Sequence, residues 1–186
     1  MNKGLIATLV VVALIVVMGI SGYNSLVTMN EDTVGKWSQV ENQLQRRNDL
    51  IPNLVNTVQG FASHEKTLIQ DVTNARAKMM GSRTPDDVSK ANGELTGALS
   101  RLMVLVENYP QIKADANFRQ LSDELAGTEN RLAVARRDYN NAVQAFNTKI
   151  KSFPTNIYAG MFGFSAKQYF QVEEAAKKVP VVNFKQ

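Results

Sequence analysis

Residues 118–153 read FRQLSDELAGTENRLAVARRDYNNAVQAFNTKIKSF. Counting from Phe118, the positions Leu121, Leu125, Thr128, Leu132, Ala135, Tyr139, Ala142, Phe146, Ile150 and Phe153 follow one another at steps of three and four. Such a stripe faces one side of a helix, so the segment predicts one helix of about 50 Å with a single continuous seam. Phe153-Pro154 ends it, because the residue before a proline avoids the helical region.

The neighbouring segments repeat the pattern. Val88, Ala91, Leu95, Ala98, Leu102, Leu105 and Tyr109 form a second stripe. Thr84 is placed to cap it, Pro85 to occupy its first position, and Asp86 and Asp87 to face the positive end of the dipole. A shorter stripe runs Leu68, Val72, Ala75, Met79, with Ser63 as a cap and Gly81 as the stop. A fourth runs Val34, Trp37, Val40, Leu44, Ile51, Leu54 or Val55, Val58 and Phe61. No stretch alternates with a period of two, so no sheet is expected. Short connections favour antiparallel neighbours, and the reading is all-α: an up-and-down bundle of about four long helices.

Ahead of the bundle comes a different kind of segment. No charge appears between Lys3 and Glu31, and Leu5–Tyr23 is apolar. At about 1.5 Å per residue those 19 residues cover roughly 28 Å, close to the hydrocarbon thickness of a bilayer. A cleaved signal peptide is the competing reading. Its apolar region usually runs about 7–15 residues, and a cut after Gly22 would put Ile20 where a small side chain is wanted. A cut after Ser21, with Gly19 two positions earlier, fits better, but a retained transmembrane helix is the expectation. Residues 1–4 then form a short cytoplasmic N-terminus, 5–23 the span, 24–154 the bundle and 155–186 an aromatic-rich tail. Lys3 and the amino terminus, set against Glu31 and Asp32, orient the N-terminus to the cytoplasm and the bundle outside it.

The tail holds Tyr158, Phe162, Phe164, Tyr169, Phe170 and Phe184, with Gly160 and Gly163 between them. Packing onto the bundle is expected, with Ser165 capping a short helix to Lys178; an adhesive surface for a partner or the bilayer is the other reading. The net charge of +4 hides an asymmetry: from Arg131 onward nine residues are basic and three acidic. The basic residues are scattered among aliphatics, which argues against nucleic acid; a solvated helix face with a basic tail is the expectation, and contact with anionic lipid headgroups the other reading.

Chemistry-bearing constellations are few. With no cysteine there is no disulfide, thiolate site or cysteine nucleophile. The lone His64 precedes Glu65, but Leu68 stands where a zinc-protease helix needs its second histidine, so the pair reads as a cap and dipole arrangement. Asp86-Asp87, Asp123-Glu124 and Glu173-Glu174 are adjacent in sequence and point about 100° apart on a helix, away from one shared substrate. No catalytic residue, cofactor or metal ligand is expected.

What stands out is RRNDLIPNLV, residues 46–55. Steps of three and four from Leu44 to Ile51 pass through Arg47, which puts a guanidinium on an inward stripe. Such a charge costs several kcal/mol unless paired and hydrogen-bonded. The expected answer is a polar layer drawn from Arg46, Arg47, Asp49, Pro52, Asn53, Thr128, Glu129, Asn130, Arg136 and Tyr139, with Arg47 bidentate to Glu129 and Arg136 close by. His64 and Glu65 join the candidates. Pro52 removes the bond to the Asn48 carbonyl, freeing it to accept from a side chain of the layer.

Taken together, YNSLV after the apolar segment, W…QLQRRNDLIPNLVNTVQGFASHE, the Val72–Arg76 stretch, YPQIKADANFRQLSDELAGTENRLAVARRDYNNAVQAFNTKIKSFPTNIYAGMFGF and the closing YF resemble the LemA family of bacterial membrane proteins. The likeness implies a single N-terminal anchor and an antiparallel bundle, and brings no enzymatic activity or cofactor with it. The family includes magnetosome-associated members, though nothing in these residues marks the chain as one. The expected function is a non-enzymatic, single-pass scaffold of the bacterial cell membrane whose partner is the bilayer together with an unidentified membrane or envelope protein or a homo-oligomer. The alternative is an extracytoplasmic ligand-sensing bundle that signals through a partner.

Overall fold

The computed structural model describes residues 3–62 and 64–171. The elements are α1 (Lys3–Phe61), α2 (Lys66–Gly81), α3 (Pro85–Val106), α4 (Pro110–Ala114), α5 (Ala116–Lys151) and α6 (Thr155–Ala159), with no strand among the described residues. The expected Ser63 cap lies outside them, as do Glu173-Glu174, Phe184 and the second half of the helix expected up to Lys178. The chain forms two compact units. One joins the chain up to Gln39 with Arg137–Gln168; the other joins Val40–Arg136 with the chain from Tyr169.

In the second unit, α1 from Val40, α2, α3 and α5 up to Arg136 surround one apolar core. Val40, Leu44, Ile51, Leu54 and Val58 of α1 are buried, as are Val72, Ala75 and Met79 of α2, Leu95, Ala98 and Leu102 of α3, and Leu125 and Leu132 of α5. Each fully buried aliphatic contributes about 1.5–3 kcal/mol. Three ion pairs and one hydrogen bond give the directions. Lys78 with Glu94 and Asp71 with Arg101 show α2 and α3 antiparallel; Gln43 with Arg131 and Arg46 with Glu124 show the same for α1 and α5. Thr84 caps α3 by accepting from the Asp87 backbone N–H at 3.2 Å, with Pro85 next. Asp115 does the same for α5, taking the Phe118 N–H at 2.9 Å.

In the first unit, Leu26, Phe146, Ile150 and Ala159 form a small core, joined by Met29, Tyr158 and Phe164. Trp37 packs on Tyr139, ring centroids 5.0 Å apart. The expected helix from Ser165 is absent through Gln171. Side chains of α5 take the backbone groups that a helix would have used. Asn147 accepts from the Lys167 N–H at 2.8 Å and donates to the Lys167 carbonyl at 2.9 Å, and the Tyr139 hydroxyl donates to the Gln168 carbonyl at 2.8 Å.

Four stripe positions differ from expectation. Val34 is exposed and Thr33 buried in its place, seven residues from both Leu26 and Val40; its hydroxyl is satisfied by the Asn30 carbonyl at 2.6 Å. Ala62 rather than Phe61 is buried at the end of α1, because a step of four from Val58 completes the turn. Val143 supplants Ala142 on α5, and Phe153 lies beyond the end of that helix with its ring in the open.

Candidate functional site

At the centre of the second unit sits Arg47, 4% exposed and surrounded by apolar neighbours on its own helix. Its Nη1 donates to Asn92 Oδ1 at 2.8 Å and lies 2.6 Å from Glu129 Oε2; its Nη2 donates to Thr96 Oγ1 at 3.0 Å. Thr96 in turn donates to the Asn92 carbonyl at 2.8 Å, which fixes its hydroxyl as an acceptor for the guanidinium. The expected bidentate fork onto Glu129 is therefore one contact. The second arm goes to α3, because Asn92 and Thr96, four residues apart on one helical face, already present two acceptors.

Glu129 is held from a second side by Arg136, Nη2 to Oε1 at 3.6 Å, and the Arg136 guanidinium lies 5.4 Å from the centre of the Phe170 ring. Burial pushes the Arg47 pKa below the ordinary arginine value; Glu129 opposes that shift and Arg136 adds to it. An arginine stays charged even so, which makes the Glu129 carboxylate necessary in this place.

Pro52 behaves as its missing N–H dictates. α1 runs through it unbroken, and the Asn48 carbonyl left without its helical donor accepts from Arg76 Nε of α2 at 2.9 Å. One polar cluster thus draws on α1 through Arg47 and Asn48, α2 through Arg76, α3 through Asn92 and Thr96, and α5 through Glu129 and Arg136.

The other candidates fall around this cluster or away from it. Arg46 is exposed and pairs with Glu124, which Arg131 also reaches at 3.3 Å. Thr128 is buried, donates to the Glu124 carbonyl at 2.8 Å and accepts from Arg131 at 3.1 Å. Asp49 is exposed and takes the Gln45 amide at 2.8 Å; the Asn53 carbonyl takes the Thr57 hydroxyl at 2.9 Å. Asn130 faces outward. His64 is exposed, and Glu65 stands at the start of α2 without a side-chain cap bond, which corrects the cap reading. Glu65 instead accepts the Tyr109 hydroxyl at 3.1 Å, a longer reach that the first-turn position did not reveal. Tyr139 belongs to the first unit, where Gln168 takes its hydroxyl.

Asn92, Thr96 and Arg76 were missed by the sequence reading. Asn92 carries a weak signal, standing four residues from Val88 and seven from Leu99 on the buried face of α3. Arg76 carries a better one, since Pro52 announces a free carbonyl that wants a donor. Chemically the cluster pairs its buried guanidinium with a carboxylate and contains no nucleophile, and it leaves Arg47 Nε and Asn48 Oδ1 buried without a hydrogen-bond partner. Among the described residues no group of three or more His, Asp and Glu side chains is gathered as a metal site.

A LemA family model matches residues 36–184. Magnetosome proteins MamQ 1 and MamQ 2 of Paramagnetospirillum magneticum are each 32% identical over 203 aligned positions, covering 95% of this chain and 74% of theirs. Protein LemA of Metamycoplasma hominis is 24% identical over 155 positions, 81% of this chain and 69% of that one. The match takes in α5, the residues around Pro52 and the whole polar cluster, and the chain belongs to the LemA family.

Proposed function

We propose that this protein is a non-enzymatic, single-pass membrane protein whose helical domain binds another protein or a second copy of itself at the bacterial cell membrane. The observation that carries the reading is the first third of α1. Its most apolar window has a mean hydropathy of 2.7 and buries none of its residues against the protein, while the same helix continues into the bundle. In water, a run of bare Leu, Ile and Val side chains on that scale would aggregate; in lipid it is satisfied. Lys3 on one side and Glu31 with Asp32 on the other favour the N-terminus in the cytoplasm and the domain outside it. The polar cluster supports a structural rather than a catalytic centre, because its charged groups are spent on one another.

The absence of cysteine makes the test direct. With a membrane-impermeant maleimide, a single cysteine at Val104 should react in sealed cells and one at Asn2 only after the cells are opened, and alkaline carbonate should leave the chain in the membrane pellet. Photo-crosslinking in intact membranes should then return one recurrent protein or a homo-oligomer. Release by carbonate overturns the anchor, and a chain that crosslinks to nothing overturns the scaffold.

A groove of about 510 Å³ beside Asn48, Met79 and Arg83 favours the ligand-sensing alternative, because the Asn48 side-chain oxygen is buried there without a hydrogen-bond donor. A small-molecule thermal-shift screen on the full chain distinguishes the two readings.

A further inference from the structure

The short helix α6 and the turn after it have two unlike faces. Thr155 and Ala159 are buried, Ala159 in the first unit's core with Leu26 and Phe146. Away from that core, Ile157 of α6 and the flanking Phe153 and Met161 are 62%, 81% and 80% exposed, with Phe162 at 54%. Large apolar groups side by side in water are unusual in a folded domain and mark a contact surface.

Their position says what covers them. The Tyr158 hydroxyl is seated against Gly22, so closely that a Cβ there would collide with it. The Phe162 ring stands edge-on to Tyr23, centroids 4.9 Å apart. A cleft beside them is lined by Val16, Gly19, Ile20, Tyr23, Tyr158 and Phe162. Val16 lies seven residues before Tyr23, about 10 Å down the helix axis. Side chains that share a cleft with Val16 and Ile20 are at the depth of the last two turns of the apolar span. Tyrosines at that level suit the headgroup boundary, and Lys149 and Lys151 in the last turn of α5 precede the turn in sequence, where anionic headgroups would meet them.

We propose that residues 153–162 form a second membrane contact, a wedge inserted into the near leaflet beside the point where α1 leaves the bilayer, with phospholipid as its occupant. This rests on reading the start of α1 as a membrane span. Ile157, Met161 and Phe153 enter the acyl boundary, Tyr23 and Tyr158 sit at the headgroup level, and the polar backbone of the turn stays at the water-facing edge. The wedge is tied to α1 by Gly22 and Tyr23 rather than by a loop, so within the first unit it is held beside the span.

The test places one environment-sensitive fluorophore at a time on the full chain through Leu14→Cys, Ile157→Cys, Met161→Cys or Val104→Cys. The protein is reconstituted in vesicles of phosphatidylcholine and phosphatidylglycerol carrying nitroxides either near the headgroup or near the acyl terminus. The Leu14 label should be quenched more by the deep nitroxide and the Val104 label by neither. Labels at 157 and 161 should be quenched by the shallow nitroxide at least twofold more than by the deep one. A quenched Leu14 label with labels at 157 and 161 that behave like Val104 overturns the wedge and leaves the anchor standing. An unquenched Leu14 label overturns both, since the wedge is placed by the span.

Discussion

Replacing Glu129 by glutamine removes one charge and almost no volume, and it tests what the carboxylate does for Arg47, the more deeply buried of its two arginine partners. The guanidinium would keep its bonds to Asn92 and Thr96 but lose the only carboxylate within ion-pair distance of it among the described residues. Removing one partner of a fully buried pair costs about 3–5 kcal/mol. Here the Glu129 side chain is 36% exposed, so water already screens part of the attraction. Glutamine also retains an acceptor oxygen. A loss of about 2 kcal/mol is expected, read as a lower urea midpoint in the full chain held in detergent micelles and followed by circular dichroism. The control that gives the number meaning is Arg47→Met in the same background. If the cost of Glu129→Gln is the stranding of a charge, then removing that charge should restore about 1 kcal/mol, although Asn92 Oδ1 then loses a donor. The double variant should therefore be more stable than the Glu129→Gln single. A single variant within about 0.5 kcal/mol of the parent, or a double variant less stable than the single, would refute the account of the cluster as a buried charge with an obligatory counter-charge.

Two glycines in the same helix should respond with opposite signs. Gly35→Ala meets nothing within 4 Å and should gain about 0.5–1 kcal/mol from helix propensity, whereas Gly22→Ala drives a methyl into the Tyr158 hydroxyl and should lower the urea midpoint. Phe146→Ala empties a fully buried site beside Leu26 and Ile150 and should cost about 3–5 kcal/mol by the same denaturation. Tyr139→Phe should cost about 1 kcal/mol near neutral pH through the lost bond to Gln168. Burial raises the Tyr139 pKa, so the folded chain holds that proton more tightly than the unfolded one. The stability this brings is complete below the ordinary tyrosine value of about 10 and is lost as pH rises from there through the raised folded value. Urea titrations at successive alkaline pH should show a shallower decline for Tyr139→Phe than for the parent; parallel declines would count against a buried hydroxyl.

The helices were legible because period and punctuation agree. Thr84-Pro85-Asp86-Asp87 marks the start of α3, and the stripe from Leu125 to Ile150 fixes the buried face of α5. Arg47 and Glu129 were legible for the same reason, a charge at a stripe position needing an opposite charge. Asn92 and Thr96 were not, because neutral polar residues on a helix containing Gly93 and Gly97 read as an ordinary wet face until another helix supplies a donor. The stretch after Gly163 was misread because Ser165 is a good cap by residue type, while the side chains that hold the backbone extended, Asn147 and Tyr139, lie about twenty to thirty residues away.

Apolar stripes alone leave one ambiguity that the polar cluster removes. Phe118, Leu125, Leu132, Tyr139, Phe146 and Phe153 stand seven residues apart, so α5 could slide by a heptad against α1 and still present an apolar side chain at every step. The charged positions do not tolerate the slide. A shift of seven one way sets Arg136 against Arg47, and the other way sets Ser122 there; on α3 the residues seven from Asn92 are Pro85 and Leu99. Every slipped arrangement buries the Arg47 charge against a like charge or no charge, at a cost of several kcal/mol. Replacing Arg47, Asn92 and Glu129 together by leucine removes that penalty along with the desolvation it opposes. The triple variant should be as stable as the parent or more so by about 1–4 kcal/mol, yet less uniquely packed. A short bifunctional thiol crosslinker between Gln43→Cys and Arg131→Cys, whose parent side chains hydrogen-bond at 3.3 Å, reads the register directly. Crosslinking should be complete in the parent background and only partial in the triple variant, while equal crosslinking in both would show that packing of the apolar side chains settles the alignment unaided.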